Sequence, residues 1–125
     1  NKNINFYINL DNNSEILADK NKFEAVIINV IKNACEAFDD EITEEKKITI
    51  TTKEENNFIS IIISNNAKQI EDTQKIFDDG YTTKSTGNGY GLAICKKTLE
   101  NLSGKFELLK SDKTSTDFRI LMSII

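Results

Sequence analysis

The sequence contains no histidine, no proline and no tryptophan. Without imidazole there is no Ser-His triad, no histidine general base and no usual zinc site, so acid–base chemistry is left to carboxylates, lysine and tyrosine. Without proline, turns must be sought at glycine, asparagine, aspartate and serine. The 2 cysteines, Cys35 and Cys95, both fall in apolar stretches of predicted helices. There they read as small buried hydrophobes rather than as a disulfide or a metal site, which fits a reducing compartment and predicts a cytoplasmic location. No apolar run approaches the length of a membrane span and no signal peptide is evident, so the chain is expected to be soluble. Charge of one sign is also lacking. The 16 basic and 20 acidic residues leave a net charge of −4, which argues against general affinity for nucleic acid or an anionic membrane. Any phosphate site must therefore be local. The 125 residues suffice for one domain, 1–125, with a real core.

What is present is a glycine-rich stretch, Thr82 to Ile94, reading TTKSTGNGYGLAI. Gly87, Gly89 and Gly91 alternate just before an amphipathic helix. Backbone without Cβ atoms can approach an anion closely, and the free N–H groups of a helix start carry partial positive charge towards it. Lys84 adds a cation, and Thr82, Thr83, Ser85 and Thr86 add hydroxyl donors. The stretch reads as a phosphate cradle, although a glycine-rich turn before a helix is common and needs a second motif beside it.

The remaining pattern alternates strands and helices without a linker or a repeat. Asn5 to Leu10 reads as a strand, broken by Asp11, Asn12, Asn13 and Ser14. Between Lys20 and Phe38, the residues Phe23, Val26, Ile27, Val30, Ile31, Ala34 and Phe38 recur at helical spacing and predict one buried stripe. Lys47 to Thr52 and Phe58 to Ser64 are β-branched runs around a polar Glu-Glu-Asn-Asn turn, a predicted hairpin. A short amphipathic piece lies near Ile70 to Phe77. After the glycine stretch, Leu92, Cys95, Leu99 and Leu102 predict a helix closed by Gly104, and strands follow at about Lys105 to Lys110 and Asp117 to Ile124. The expected fold is an α/β two-layer sandwich with a mixed, largely antiparallel sheet and helices on one face.

The second motif lies in the first helix. Asn29 and Asn33 stand four residues apart, with Lys32 and Glu36 on the same face beside the apolar stripe. Helix interiors usually avoid asparagine. A single one would simply face water, but a cluster of four polar groups on one face makes a functional reading competitive. An amide oxygen is a hard neutral ligand suited to Mg²⁺, which keeps much of its water and bridges nucleotide phosphates.

Together these residues resemble the ATP-binding domain of the GHKL superfamily, most closely the catalytic domain of bacterial sensor histidine kinases, and the resemblance covers nearly the whole chain. Ala18-Asp19 through Ala37 is similar to the kinase N box with its NLxxNAxxA core. The resemblance implies that Asn33 is the Mg²⁺ ligand, that Asn29 is its neighbour one turn earlier and that Lys32 is a phosphate contact. Lys75-Ile-Phe77 followed by Tyr81-Thr-Thr-Lys84 resembles the F box and lid, with Phe77 packing the lid, a segment expected over residues 66–86. Gly87-Asn88-Gly89-Tyr90-Gly91-Leu92 resembles the second glycine box at the phosphates, with Thr83 and Lys84 beside it, Lys84 positioning phosphate. Thr116 and Phe118 resemble the closing Thr-x-Phe, whose Thr sits near the adenine. The implied fold is of the Bergerat ATP-binding type, and the implied cofactors are ATP and Mg²⁺.

One box departs from the family. The first glycine box normally reads Asp-x-Gly-x-Gly, and its Asp accepts a hydrogen bond from the adenine amino group. Here the corresponding residues are Asn65, Asn66, Ala67, Lys68 and Gln69, followed by Ile70 on the nucleotide side. Asn65 still accepts through its amide oxygen, without the charge assistance of a carboxylate, so modest affinity is expected. Ala67 and Gln69 are expected to restrict backbone that the family leaves to glycine.

The resemblance also narrows the enzyme class. GHKL hydrolases such as gyrase activate water with a Glu one turn before the Mg²⁺-binding Asn, whereas this chain has Asn29 there. An amide is no general base at neutral pH, so phosphoryl transfer to a protein group is preferred over fast hydrolysis. The implied acceptor is a histidine on a separate dimerisation domain of the same protein, and the implied further partner is a response regulator. The parent protein is expected to be a homodimer, anchored at a membrane or not, and the isolated domain a monomer. Two alternatives stand beside this reading: an anti-sigma-type serine kinase, and a degenerate nucleotide-sensing or partner-binding domain.

Overall fold

The computed structural model describes residues 4–10, 15–38, 45–67, 69–70, 73–77 and 91–124. Among the described residues, five strands form one sheet in the order β1-β2-β3-β5-β4. The strands are β1 Ile4–Leu10, β2 Lys46–Glu55, β3 Phe58–Asn65, β4 Lys105–Ser111 and β5 Thr116–Ser123. Two helices, α1 Lys20–Glu36 and α2 Gly91–Asn101, pack against it. β1 runs parallel to β2, with Phe6 opposite Ile48, and such a pair needs a crossover, which α1 supplies. The other three pairings are antiparallel, as expected of a mixed, largely antiparallel sheet.

Local chemistry fixes the element ends. Asp19 caps α1, its Oδ1 accepting the Lys22 N–H at 3.1 Å, which satisfies a donor that the first turn leaves unpaired. The β2–β3 hairpin turns on Asn56 and Asn57, with φ of 52° and 67°, the left-handed pair that a two-residue hairpin requires and asparagine tolerates. The turn is thus two residues shorter than the sequence pattern suggests, because Glu54 and Glu55 stay in the ladder opposite Ile59 and Phe58.

The end of α2 also differs from expectation. The residue in the left-handed conformation is Ser103, φ 65°, not Gly104. Ser103 N–H donates to the Glu100 carbonyl at 3.0 Å and Gly104 N–H to the Leu99 carbonyl at 2.7 Å, the two bonds of a Schellman ending. Gly104 is needed for space: a Cβ there would run into the Met122 sulfur and lie 2.9 Å from the Leu121 carbonyl oxygen.

The core lies between the helices and one face of the sheet. Val26, Val30, Ala34 and Phe38 from the α1 region and Cys95 and Leu99 from α2 bury against Ile48, Ile63, Phe106, Phe118, Ile120 and Met122. Phe106 stacks on Phe118 with ring centroids 5.4 Å apart. The predicted α1 stripe is narrower than its sequence spacing, since Phe23, Ile27 and Ile31 are only partly buried. Burial raises the Cys95 thiol pKa from 9.0 to about 11, the behaviour of a packed, unreactive side chain, and neither Cys35 nor Cys95 is in a disulfide. No helix among the described residues is long and apolar enough to cross a membrane.

Candidate functional site

The end of the sheet where β3 and β4 finish and β5 begins gathers polar side chains that strand interiors normally exclude. Asn65, the last residue of β3, pairs across the ladder with Thr116, the first of β5. Their exposures are 6% and 3%. Both therefore need internal partners. Asn65 Oδ1 accepts the Ala67 N–H at 3.0 Å, and Thr116 Oγ1 lies 2.6 Å from Ser111 Oγ. Ser111 in turn accepts the Ile70 N–H at 2.8 Å. The chain leaving β3 is thus tied at two points, Ala67 and Ile70, to side chains at the sheet end.

A third tie precedes them. The Asn66 side chain accepts the Lys47 N–H at 2.8 Å and donates to the Glu45 carbonyl at 2.8 Å, continuing the β2–β3 ladder past Ile48 and Asn65 with an amide that stands in for a strand neighbour. The first residues of the expected lid segment are in this way bonded to the sheet. Ala67 is 4% exposed and lies in ordinary backbone, since positive φ among the described non-glycine residues falls at Asn56, Asn57 and Ser103. The departure from glycine at this box therefore carries no left-handed strain at Ala67.

The turn between β4 and β5 holds Ser111 and Thr116 side by side. Asp112 Oδ1 accepts the Thr114 N–H at 2.8 Å, the Thr114 hydroxyl at 2.6 Å and the Ser115 N–H at 3.0 Å. These bonds, first that from the Thr114 side chain, lower its pKa from 3.8 to about 2.

Phe77, the expected lid-packing residue, is half-buried and edge-on to Phe106 at 5.5 Å. The ammonium of Lys96, a residue of α2, lies 5.0 Å from the Phe77 ring centroid, a cation–π contact that anchors the ring. Asn33 is half-buried at the rim of the α1 stripe, while Asn29 and Lys32 are exposed. Gly91 is the first residue of α2, and a Cβ built on it would meet nothing within 4 Å. Leu92 packs against the core, so its side chain serves the fold whatever its backbone does. The expected phosphate-side residues Thr83, Lys84, Gly87, Asn88, Gly89 and Tyr90 lie outside the described residues.

The structure thus brings Asn65, Ala67, Ile70 and Thr116 together at one sheet end and adds three residues that sequence reasoning passed over. Ser111 and Lys96 carry no local signature. Asp112, followed by Thr114 and Ser115, has the side-chain turn pattern that could have revealed it.

Residues 18–124 match the family described as histidine kinase-, DNA gyrase B-, and HSP90-like ATPase. The sensor histidine kinase FlgS of Helicobacter pylori is 30% identical over 121 residues, covering 96% of this chain and 32% of its own length. A Bacillus subtilis protein named probable C4-dicarboxylate sensor kinase is 29% identical over 122 residues, covering 91% of this chain and 23% of its own length. The chain therefore spans about a third or less of these relatives. Among solved structures, the nucleotide-free catalytic domain of histidine kinase ThkA superposes with a TM-score of 0.83 at 30% identity, over 98% of this chain and 80% of that one. ThkA in complex with the response regulator protein TrrA gives 0.79 at 27% identity, over 99% of this chain and 35% of that one. On the match over residues 18–124 and the superposition at 30% identity, the chain belongs to the histidine kinase-, DNA gyrase B- and HSP90-like ATPase family and has the fold of a histidine kinase catalytic domain.

Proposed function

We propose that this domain holds Mg-ATP at the sheet end formed by Asn65 and Thr116 and donates the γ-phosphate to a histidine on a separate dimerisation domain, in two-component signalling. The observation that carries the choice of transfer over hydrolysis is Asn29. It lies one helical turn before Asn33 and is an exposed amide, which cannot take a proton from water at neutral pH. The chain has no histidine of its own, so the acceptor comes from elsewhere in a homodimeric parent protein. Passage of the phosphate to a response regulator is supported by the ThkA–TrrA complex. A cytoplasmic site of action follows from the ATP requirement.

The chain's residues divide the work. Asn65 accepts from the adenine amino group with the lone pair that Ala67 leaves free, and Thr116 touches the purine from the adjoining strand. Lys84 and the glycine-box N–H groups neutralise phosphate charge and align the γ-phosphate. Asn33 fits a Mg²⁺ role because its half-buried carboxamide offers one hard neutral oxygen. Among the described residues no group of three His, Cys, Asp or Glu side chains forms a metal cage of its own. A single protein ligand suits an ion that is otherwise held by phosphates and water. Bound there, Mg²⁺ supplies charge neutralisation at the phosphates.

Calorimetric titration of the chain with ATP, with and without Mg²⁺, tests the reading. ATP should bind and Mg²⁺ should tighten it, with very slow hydrolysis. No binding under either condition contradicts it, and tight binding with no transfer to any acceptor favours the nucleotide sensor.

A further inference from the structure

We infer that Ser111 is a positioning residue that couples the segment leaving β3 to the purine-facing hydroxyl of Thr116. This rests on the nucleotide reading above and assigns the site a residue with no recognisable motif. Three observations carry it. Ser111 Oγ takes the Ile70 N–H at 2.8 Å and lies 2.6 Å from Thr116 Oγ1. Thr116 is 3% exposed and pairs with Asn65 across the ladder. The β4–β5 register slips by one residue between Leu108 and Lys110, and this irregularity at Leu109 sets Ser111 opposite Thr116. Unbroken pairing would put Lys110 there. A bulge of this kind re-aims a side chain at the rim of a sheet.

The sense of the hydrogen bonds follows from the donor inventory. A hydroxyl has one proton and two lone pairs. Accepting the Ile70 N–H polarises Ser111 and makes its own O–H the stronger donor, so it donates to Thr116 Oγ1. The Thr116 proton is then free and polarised in turn. The relay runs from Ile70 N–H through Ser111 and Thr116 outward, and it presents a donor to the ligand. Thr116 therefore recognises an acceptor, a purine ring nitrogen, while Asn65 beside it accepts from the amino group. Because the same Ser111 hydroxyl holds Ile70, placement of the lid's first residues and the orientation of the base-reading hydroxyl are set together.

The test uses Ser111→Ala, Ser111→Thr, Thr116→Val and the Ser111→Ala/Thr116→Val double variant, each confirmed folded by its amide spectrum. ATP affinity comes from calorimetry and the exchange rate of the Ile70 amide from NMR. Ser111→Ala should speed Ile70 exchange and weaken ATP binding by about threefold to tenfold. Ser111→Thr, which keeps the hydroxyl, should restore both. In the Thr116→Val background the Ser111→Ala loss in affinity should shrink, because the relay is already cut. Unchanged Ile70 exchange in Ser111→Ala overturns the tie. Faster exchange with unchanged ATP affinity, or a full additive loss in the double variant, overturns the positioning role. If the wild-type chain binds no ATP while Ile70 is still released by Ser111→Ala, the nucleotide reading fails, the tie stands and the role in purine recognition is overturned.

Discussion

Asn65 and Thr116 face each other across the β3–β5 ladder, both nearly buried, and each spends part of its hydrogen-bonding capacity on the chain that leaves the sheet: Asn65 on Ala67, Thr116 through Ser111 on Ile70. A polar pair in an otherwise apolar layer is costly unless every group is satisfied. Among the described residues no buried side-chain nitrogen or oxygen lacks a partner. The pair is thus built and held, not tolerated.

Asn65→Asp should strengthen adenine nucleotide binding by about 1 kcal/mol, since the contact to the amino group becomes charge-assisted. At 6% exposure the carboxylate also loses hydration, so the nucleotide-free variant should melt lower than wild type. Guanine nucleotides present a carbonyl at that place and should gain nothing. Calorimetry with ATP and GTP, with thermal melts alongside, reads both effects, and equal gains for both bases would mean that residue 65 does not read adenine.

Gly91→Ala separates fold from ligand. Nothing within 4 Å meets a Cβ at this position, and alanine favours helix over glycine, so stability should hold or rise slightly. If the space is used by nucleotide phosphate, ATP affinity should nevertheless fall several-fold. Unchanged affinity would remove Gly91 from the phosphate site.

Asn33→Ala should abolish most Mg²⁺-dependent ATP affinity without unfolding the protein. Ile31→Ala should chiefly cost stability. Ile31 is only partly buried, so its loss belongs at the low end of the range for isoleucine truncation, about 2 kcal/mol. Titrations and denaturant melts on both variants check the split.

Asp112 gives the fold a defined acid sensitivity. Its folded pKa of about 2 lies below the ordinary 3.8, so its contribution is complete above the ordinary value and is lost as pH falls towards the folded one. Asp112→Asn keeps an acceptor oxygen but no titration. Between pH 3.8 and 2 the wild type should lose melting temperature faster than the variant, and parallel curves would show that the Asp112 turn bonds do not contribute.

Much of this architecture was legible because its signals are local. The 3.6-residue stripe marks α1, and β-branched runs mark β2 and β3. The misreadings have a common physical origin. Helical spacing shows which residues share a face but not how wide a neighbour covers it, so Ile27 and Ile31 read as core and proved half-covered. Glycine near a helix end suggests a left-handed cap, yet Ser103 takes that conformation and Gly104 answers to Met122 and Leu121 across the sheet. Replacing Ser103 by Gly should therefore stabilise the domain by about 1 kcal/mol. Within the site, motifs pointed to Asn65 and Thr116, whereas Ser111 and Lys96 matter through pairing register and a ring stacked from another segment, and neither leaves a trace in linear sequence.

The proposed reaction transfers phosphate to a histidine that this chain lacks. The most direct measurement mixes the domain with the parent protein's dimerisation domain and labelled Mg-ATP, then reads the chemistry of the label. Acid-labile, base-stable phosphate is expected on the dimerisation domain's histidine and none on this chain, with slower transfer by Lys84→Ala and Gly89→Ala. Acid-stable label on serine, or no label despite tight ATP binding, would contradict it.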